Sequence, residues 1–435
     1  MIDDQDLVRK VRDRAAEALV ARRQEARESG SVTRAVDEEV AIRAACAGAL
    51  DQEASSRLLS GRTTLDIDSE RRITKRIVDE LLGMGPLQEL LEDPEITDIH
   101  VRGTSPVWIK KTDGSRVEIP AVVGHPEELV ALVRNAASRS TRGERRFDAS
   151  TVECNLCLED GSRLFAIMDV SSTPSLVIRK HQFGLASLDD LEDTGLVDSN
   201  SSAFFRAAVR ARRNIVIAGG TGSGKTTLLR ALLNEVPREE RIVTIEDAYE
   251  LGIDRFEHLH PDHDALQSRP PNVEGHGGIP LSDLTRMALR MDPDRVVVGE
   301  VRGAEAFPML MAMSQGNNGS MCTIHADSTR SVFPKLAAYV SMAQTGLPVD
   351  IVNLVIASAV HLVVHIELRH RQRRITSVRE VVDADGPRII SNEIFKSSPD
   401  GELESAFPMT ADLRELLDGF GFGSPRDFHR YPVVA

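Results

Sequence analysis

Apolar residues are spaced in three ways along this chain, and each spacing predicts a different kind of structure. From about residue 200 onward, short, mostly apolar runs at 214–218, 241–245, 295–298 and 320–324 alternate with segments of helical periodicity such as 227–233. Runs buried on both faces and separated by helices predict a mainly parallel, helix-covered sheet, an α/β domain. Between about 70 and 181 the pattern changes. Residues 96–101 and 107–110 alternate with the two-residue period of half-buried strands, Asp113-Gly114 and Asp160-Gly161 mark hairpin turns, and helical segments fall at 72–82 and 127–138. This predicts a smaller α+β domain over 66–185, with a polar linker over 186–200. Residues 1–65 are rich in Ala, Arg and Glu and predict an exposed helical arm, with helices at 5–19 and 37–56 interrupted near Ser29-Gly30-Ser31. The α/β domain is expected to span 201–396, with a C-terminal extension over 397–435.

Composition narrows the class. A chain of 435 residues with 41% hydrophobic and 28% charged content suits a globular protein of two or three domains. The formal net charge of −14 works against non-specific attraction to nucleic acid or anionic lipid. The acidic start Met1-Ile2-Asp3-Asp4-Gln5-Asp6 lacks the features of a signal peptide. Residues 351–366 are interrupted by Asn353, Ser358, His361 and His365 and fall short of a membrane span. A cytoplasmic protein, associated only peripherally with the inner face of the membrane, is therefore expected. Cys154 and Cys157 form a single C-x-x-C in an apparent strand, which points the two thiols to opposite faces and argues against a metal site. Cys46 and Cys322 complete a set too sparse for a disulfide framework.

The chemistry is carried by Gly219-Gly220-Thr221-Gly222-Ser223-Gly224-Lys225-Thr226, which follows the apolar run 214–218 and opens a helix at Thr227. It fits G-x-x-x-x-G-K-[ST]. Glycines let the backbone wrap an anion, and the amide hydrogens converge on phosphate at the helix N-terminus. Lys225 can reach the β- and γ-phosphates of ATP, and the Thr226 hydroxyl suits Mg²⁺. Acidic residues stand just past two further strands: Glu246, Asp247 and Glu250 after one, Glu300 after the other. An acidic residue at a strand end is ordinarily a cap or a solvated loop residue. Beside a phosphate loop, it is placed to hold Mg²⁺ or to orient an attacking water. His325, at a fourth strand end, can contact the γ-phosphate.

These boxes, in this order, resemble the type II/type IV secretion ATPases. Thr244-Ile245-Glu246-Asp247 resembles the family's aspartate box, Val298-Gly299-Glu300-Val301-Arg302-Gly303-Ala304-Glu305 its atypical Walker B, and Gly319-Ser320-Met321-Cys322-Thr323-Ile324-His325-Ala326 its histidine box. Arg269-Pro270-Pro271-Asn272-Val273-Glu274-Gly275 and Ala288-Leu289-Arg290-Met291-Asp292-Pro293-Asp294-Arg295 are similar to the tight-adherence (Flp) pilus branch, the CpaF-type motors, as are Gly83-Met84-Gly85-Pro86-Leu87 and residues 96–103. The two-pair cysteine insert of many type II secretion motors is lacking. The resemblance spans about 70–395. It implies a homohexamer of two-lobed subunits, each with a RecA-like motor domain, bound to inner-membrane platform proteins and acting indirectly on pilin or a secreted protein, with no direct nucleic-acid contact. It also implies ATP and Mg²⁺ as ligands, Glu300 as the residue that positions water, Glu246 in support of Mg²⁺, and His325 as γ-phosphate sensor. Arg302 joins the catalytic set.

The resemblance further implies arginines donated by the smaller domain. Arg163 and Arg179 match best, with Arg145 and Arg146 behind them; a guanidinium from another domain or subunit neutralises transition-state charge. Surface ion pairing is the plain alternative for each. The basic runs 139–146 and 369–374 lack interleaved aromatics and are expected to be solvated turns or intersubunit surfaces, the second at a hairpin tip. Two further readings stay open from the residues: a nucleic-acid translocating ATPase, and a nucleotide-gated scaffold with little turnover.

Overall fold

The computed structural model describes residues 2–29, 35–139, 146–180, 186–269, 271, 275–369, 372–398 and 402–423. Arg145, residues 140–144, and parts of the 269–275 and 369–374 runs lie outside these. The chain divides into two compact units, 1–182 and 183–435.

In the first unit, α1 (Ile2–Glu28) and α2 (Ala35–Leu59) form an antiparallel pair joined by α3 (Ile67–Leu81). Leu7, Val11, Ala15 and Leu19 repeat at the spacing of one helical face and are buried against Ile42, Cys46, Leu50 and Ile77. The arm is thus a small bundle with a core of its own, longer at both helices than the apolar spacing alone marks out. Asp66 caps α3 by accepting from the Ser69 amide. A short α4 (Gln88–Glu92) and α5 (Pro126–Arg139) flank a six-stranded antiparallel sheet. Its strands are β1 (Ile96–Arg102), β2 (Val107–Lys111), β3 (Arg116–Ile119), β4 (Glu153–Cys157), β5 (Arg163–Ile167) and β6 (Ser175–Arg179), in the order β3-β2-β1-β6-β5-β4. Burial alternates along β4, with Cys154 inside and Cys157 half-buried on the other face, as the period of two requires.

The second unit begins where a linker was expected. Residues 186–200 instead hold α6 (Leu188–Asp193) and the start of α7 (Ser199–Arg210), each opened by a capping box, Ser187 with Asp190 and Asp198 with Ser201. The polar texture read as linker is that of the two caps, while Leu188 and Leu191 are buried. The remaining elements are β7 (Ile215–Gly219), α8 (Lys225–Leu233), β8 (Ile242–Glu246), β9 (His263–Gln267), α9 (Leu281–Ala288), β10 (Arg295–Val301), α10 (Ala306–Ser314), β11 (Met321–Ile324), α11 (Val332–Met342), α12 (Val349–Ala359), β12 (Leu362–Arg369), β13 (Gln372–Asp385), β14 (Arg388–Ser397), β15 (Leu403–Ser405) and α13 (Ala411–Gly419).

Nine strands pair in the order β15-β14-β13-β12-β7-β11-β10-β8-β9. The six from β12 to β9 are parallel, and β12 to β15 form an antiparallel wing. Helices bury apolar cores on both faces. β7 and β8 are buried at every position, which is why their sequences read as mostly apolar runs rather than alternating ones. Phe204 packs edge-on against Phe205, Phe395 and Phe422 at 5.2 to 5.5 Å between ring centres, so the described part of the C-terminal segment shares the core of the second unit. At the N-terminal edge of the sheet, fully buried Asn214 donates to the carbonyls of Met313 (2.8 Å) and Ala359 (2.6 Å) and accepts from the amides of Gly319 (2.8 Å) and Ser320 (3.1 Å).

Candidate active site

Strand register gathers the chemistry on one edge. Gly219 ends β7 opposite Ile366 of β12, Ala218 pairs with Ile324 of β11, Ile324 with Val301 of β10, and Val298 with Ile245 of β8. The carboxyl ends of four neighbouring parallel strands therefore present the phosphate loop, His325, Glu300 and Glu246 together, the place where open α/β sheets bind ligands.

The loop between β7 and α8 turns through Gly222 (φ 74°) and Gly224 (φ 103°), left-handed conformations that favour glycine. Gly224 is the N-cap of α8 and Lys225 its first residue, so the helix dipole and free amides face the loop. Lys225 is 7% exposed, and its ammonium donates to the carbonyls of Gly219 (3.1 Å) and Gly220 (2.8 Å). Gly220, Thr221 and Gly222 are exposed, Ser223 is buried, and Thr226 and Thr227 occupy the first turn of α8. The Thr226 hydroxyl lies 3.5 Å from Glu250 Oε2.

Glu246 is 2% exposed. Its Oε1 accepts from the amides of Glu250 (2.8 Å) and Leu251 (2.9 Å), while Oε2 is buried with no hydrogen-bond partner among the described residues. Burial pushes this carboxyl up to about 7; the two amides and Arg230 oppose the rise and Glu250 adds to it. The side chain fits because β10 has glycine beside it: a Cβ on Gly299 would stand 3.0 Å from Glu246 Cγ. Thr323 fixes the same stretch of β10 by donating to the Gly299 carbonyl at 2.6 Å.

Glu300 has the opposite character. Burial raises it, but the hydrogen bond and charge of Arg302, with His325 and Lys225 nearby, win and hold it below the usual carboxylate range. Arg302 Nη2 donates to Glu300 Oε2 at 2.6 Å, and its Nη1 reaches Asp247 Oδ2 at 3.5 Å. Glu300 Oε1 lies 2.7 Å from His325 Nε2, at an angle that is not that of an aligned hydrogen bond. Desolvation and the charge of Lys225 hold His325 below its ordinary value, against the pull of Glu300. The backbone turn after Arg302 is tied by Glu305, which accepts from the amides of Arg302 and Gly303.

Two neighbouring carboxyls are thus held in different states, one buried with a raised pKa and one ionised, a separation typical of groups given different tasks. The Glu246, Glu300 and Thr226 side chains offer only hard oxygen donors, and the orphaned Glu246 Oε2 lacks a partner that a cation would supply; the set fits Mg²⁺. Arg163 and Arg179 belong to the first unit, where they are direct register partners on β5 and β6, Arg163 half-buried and Arg179 exposed. Arg146 is exposed there.

A family model described as "Type II/IV secretion system protein" matches residues 80–387. The chain belongs to this family. A Mycobacterium tuberculosis protein named for conjugal transfer is 34% identical over 330 residues, 73% of this chain and 90% of its own. The type IV secretion system protein VirB11 of Brucella suis is 29% identical over 337 residues, 71% and 91% of the two chains. Among solved structures, the Brucella suis VirB11 ATPase in complex with sulphate covers 67% of this chain and 94% of its own at 29% identity and a TM-score of 0.36. The pilus retraction motor PilT with bound ADP covers 78% and 86% at 17% identity and a TM-score of 0.49. The secretion-family membership rests on the matched residues 80–387, which contain every box of the strand-end cluster. No described helix is long and apolar enough to cross a membrane.

The boxes in the sequence located the cluster, but not what holds it: the space at Gly299, the double hold of Arg302 on Glu300 and Asp247, and the tie made by Glu305. Their signal is weak because each depends on which side chains meet across strands.

Proposed function

We propose that this secretion-family protein is an ATP-hydrolysing motor, working as a homohexamer at the cytosolic face of the inner membrane to power a tight-adherence pilus or a related type IV secretion machine. The observation that carries the enzymatic part is the pairing of a buried, orphaned Glu246 with an ionised Glu300 beside Lys225 and Thr226. Loop amides and Lys225 would bind the phosphates of ATP. Thr226, Glu246 and Glu300 would hold Mg²⁺, directly or through water, and that ion neutralises charge on the β- and γ-phosphates. Glu300, kept ionised and oriented by Arg302, would position the water that attacks the γ-phosphorus, giving ADP and phosphate. His325, against Glu300 in the resting chain, would turn its N–H to a γ-phosphate oxygen when nucleotide is bound. Arg163 and Arg179 keep the charge-neutralising role that the resemblance implies.

The tight-adherence assignment is supported by the boxes at 269–275 and 288–295; the family membership supports the broader secretion reading. Comparing wild type with Glu300→Gln tests the enzymatic reading: Mg-ATP turnover should fall by roughly a hundredfold while nucleotide binding persists. Equal turnover in the two would leave a nucleotide-gated scaffold as the better account. In a host, Lys225→Ala should abolish surface piliation or secretion; loss of DNA transfer alone, with DNA-stimulated hydrolysis in vitro, would favour a translocase.

A further inference from the structure

The basic hairpin that the sequence leaves as a solvated turn or an intersubunit surface is placed against the phosphate loop. Ile366 pairs with Gly219, the last residue of β7, and β12 continues for Glu367, Leu368 and Arg369 before β13 returns from Gln372. Three further residues of strand carry the hairpin about 10 Å past that point, on the same edge as the loop. On the returning strand Arg373 Nε donates to the Gly222 carbonyl at 3.3 Å, and its Cδ stands 3.0 Å from where a Gly224 Cβ would be. The aliphatic stem thus covers Gly224, and the guanidinium sits on the outer rim of the cradle.

Its charge is not spent there. Among the described residues no carboxylate lies within ion-pair distance of Arg373. Arg302, Arg241 and Arg295 of the same unit each have one. Its neighbour Arg374 is turned to Gln372, donating at 2.6 Å. A neutral carbonyl is a weak partner for a guanidinium, whose remaining N–H donors are matched in geometry and charge to phosphate oxygens. We propose that Arg373 is a nucleotide-binding residue, delivered in cis by the β12–β13 hairpin, that contacts the polyphosphate of a bound nucleotide from the rim of the Gly219–Thr226 loop. This rests on the ATPase reading above and adds to it a cation from the antiparallel wing of the sheet, so the hairpin and the bound nucleotide become mechanically linked.

The test is equilibrium binding of Mg-ADP to the full chain and to Arg373→Ala, Arg373→Gln and Arg373→Lys, with Lys225→Ala as reference and thermal melts without nucleotide as the fold check. The expected result is a Kd about tenfold higher for Ala and Gln, with Lys closer to wild type and a weaker salt dependence in the two neutral variants. Two outcomes overturn the proposal: neutral variants that bind within about twofold of wild type, or a Gln variant that binds like wild type while Ala weakens, which would mean that only the stem matters. If wild type itself fails to bind Mg-ADP and Lys225→Ala changes nothing, the nucleotide reading fails. If Lys225→Ala loses binding while the Arg373 variants keep it, only the present proposal fails.

Discussion

Glu246→Gln should make the protein more stable and less active, with the stability effect set by pH. The Glu246 carboxyl is raised from 4.5 to about 7 by burial. Between these values the folded chain keeps a proton that the unfolded chain has released, so stability falls as pH rises through that window and the loss is complete above about 7. A displacement of this size corresponds to about 3 kcal/mol at alkaline pH. Glutamine retains the oxygen that accepts from the Glu250 and Leu251 amides but cannot ionise. Neighbouring groups that titrate, Glu250 among them, are common to both proteins and largely cancel in the difference. Chemical denaturation of variant and wild type, followed by circular dichroism at pH 5 and pH 8.5, should show the difference moving in favour of the variant by about 2 to 3 kcal/mol between the two pH values. Hydrolysis by the same variant should be slower by roughly a hundredfold, because the buried carboxylate is then missing where charge must be balanced. A stability difference that does not change with pH would refute the reasoning, since it would mean that Glu246 is ionised at no cost in the fold.

Three other outcomes follow from the geometry. Gly299→Ala places a methyl group 3.0 Å from Glu246 Cγ and should reduce turnover while leaving Mg-ADP binding nearly intact, as read by parallel kinetics and titration. Asn214→Ala strands two carbonyls and two amides in a dry core and should cost about 3 to 5 kcal/mol in denaturation experiments, far from the site. Of the four cysteines, only half-buried Cys157 should react quickly with an aromatic disulfide reagent in the native protein, since Cys46, Cys154 and Cys322 are buried; two or more fast thiols would contradict the packing.

The legible part of this molecule is what local chemistry dictates. The strands β7, β8, β10 and β11 announce themselves because burial on both faces leaves them mostly apolar, and the loop from Gly219 to Thr226 because phosphate wrapping demands glycine at fixed offsets. In the smaller sheet β1 and β2 were readable from their period of two, and the turns before β3 and β5 from Asp113-Gly114 and Asp160-Gly161. Cooperative features were not. Ser187 and Asp198 read as linker because a capping residue and a loop residue are the same chemically, and only the buried Leu188 and Leu191 tell them apart. The first helices read as an exposed arm because a narrow stripe of Leu, Val and Ala is diluted by charge on the remaining faces. Asn214 looked like a strand boundary, whereas its amide joins three segments distant in sequence. Arg373 is hidden for a related reason: a basic hairpin tip gains meaning only from the register that carries β12 past Gly219.

The central claim is that the strand-end cluster around Lys225 turns over ATP. Phosphate release by purified wild type and Lys225→Ala, each with and without Mg²⁺ and checked for equal folding, tests it most directly. The account predicts Mg²⁺-dependent release by wild type and a loss of at least about a hundredfold in the variant. Release that survives Lys225→Ala would contradict it.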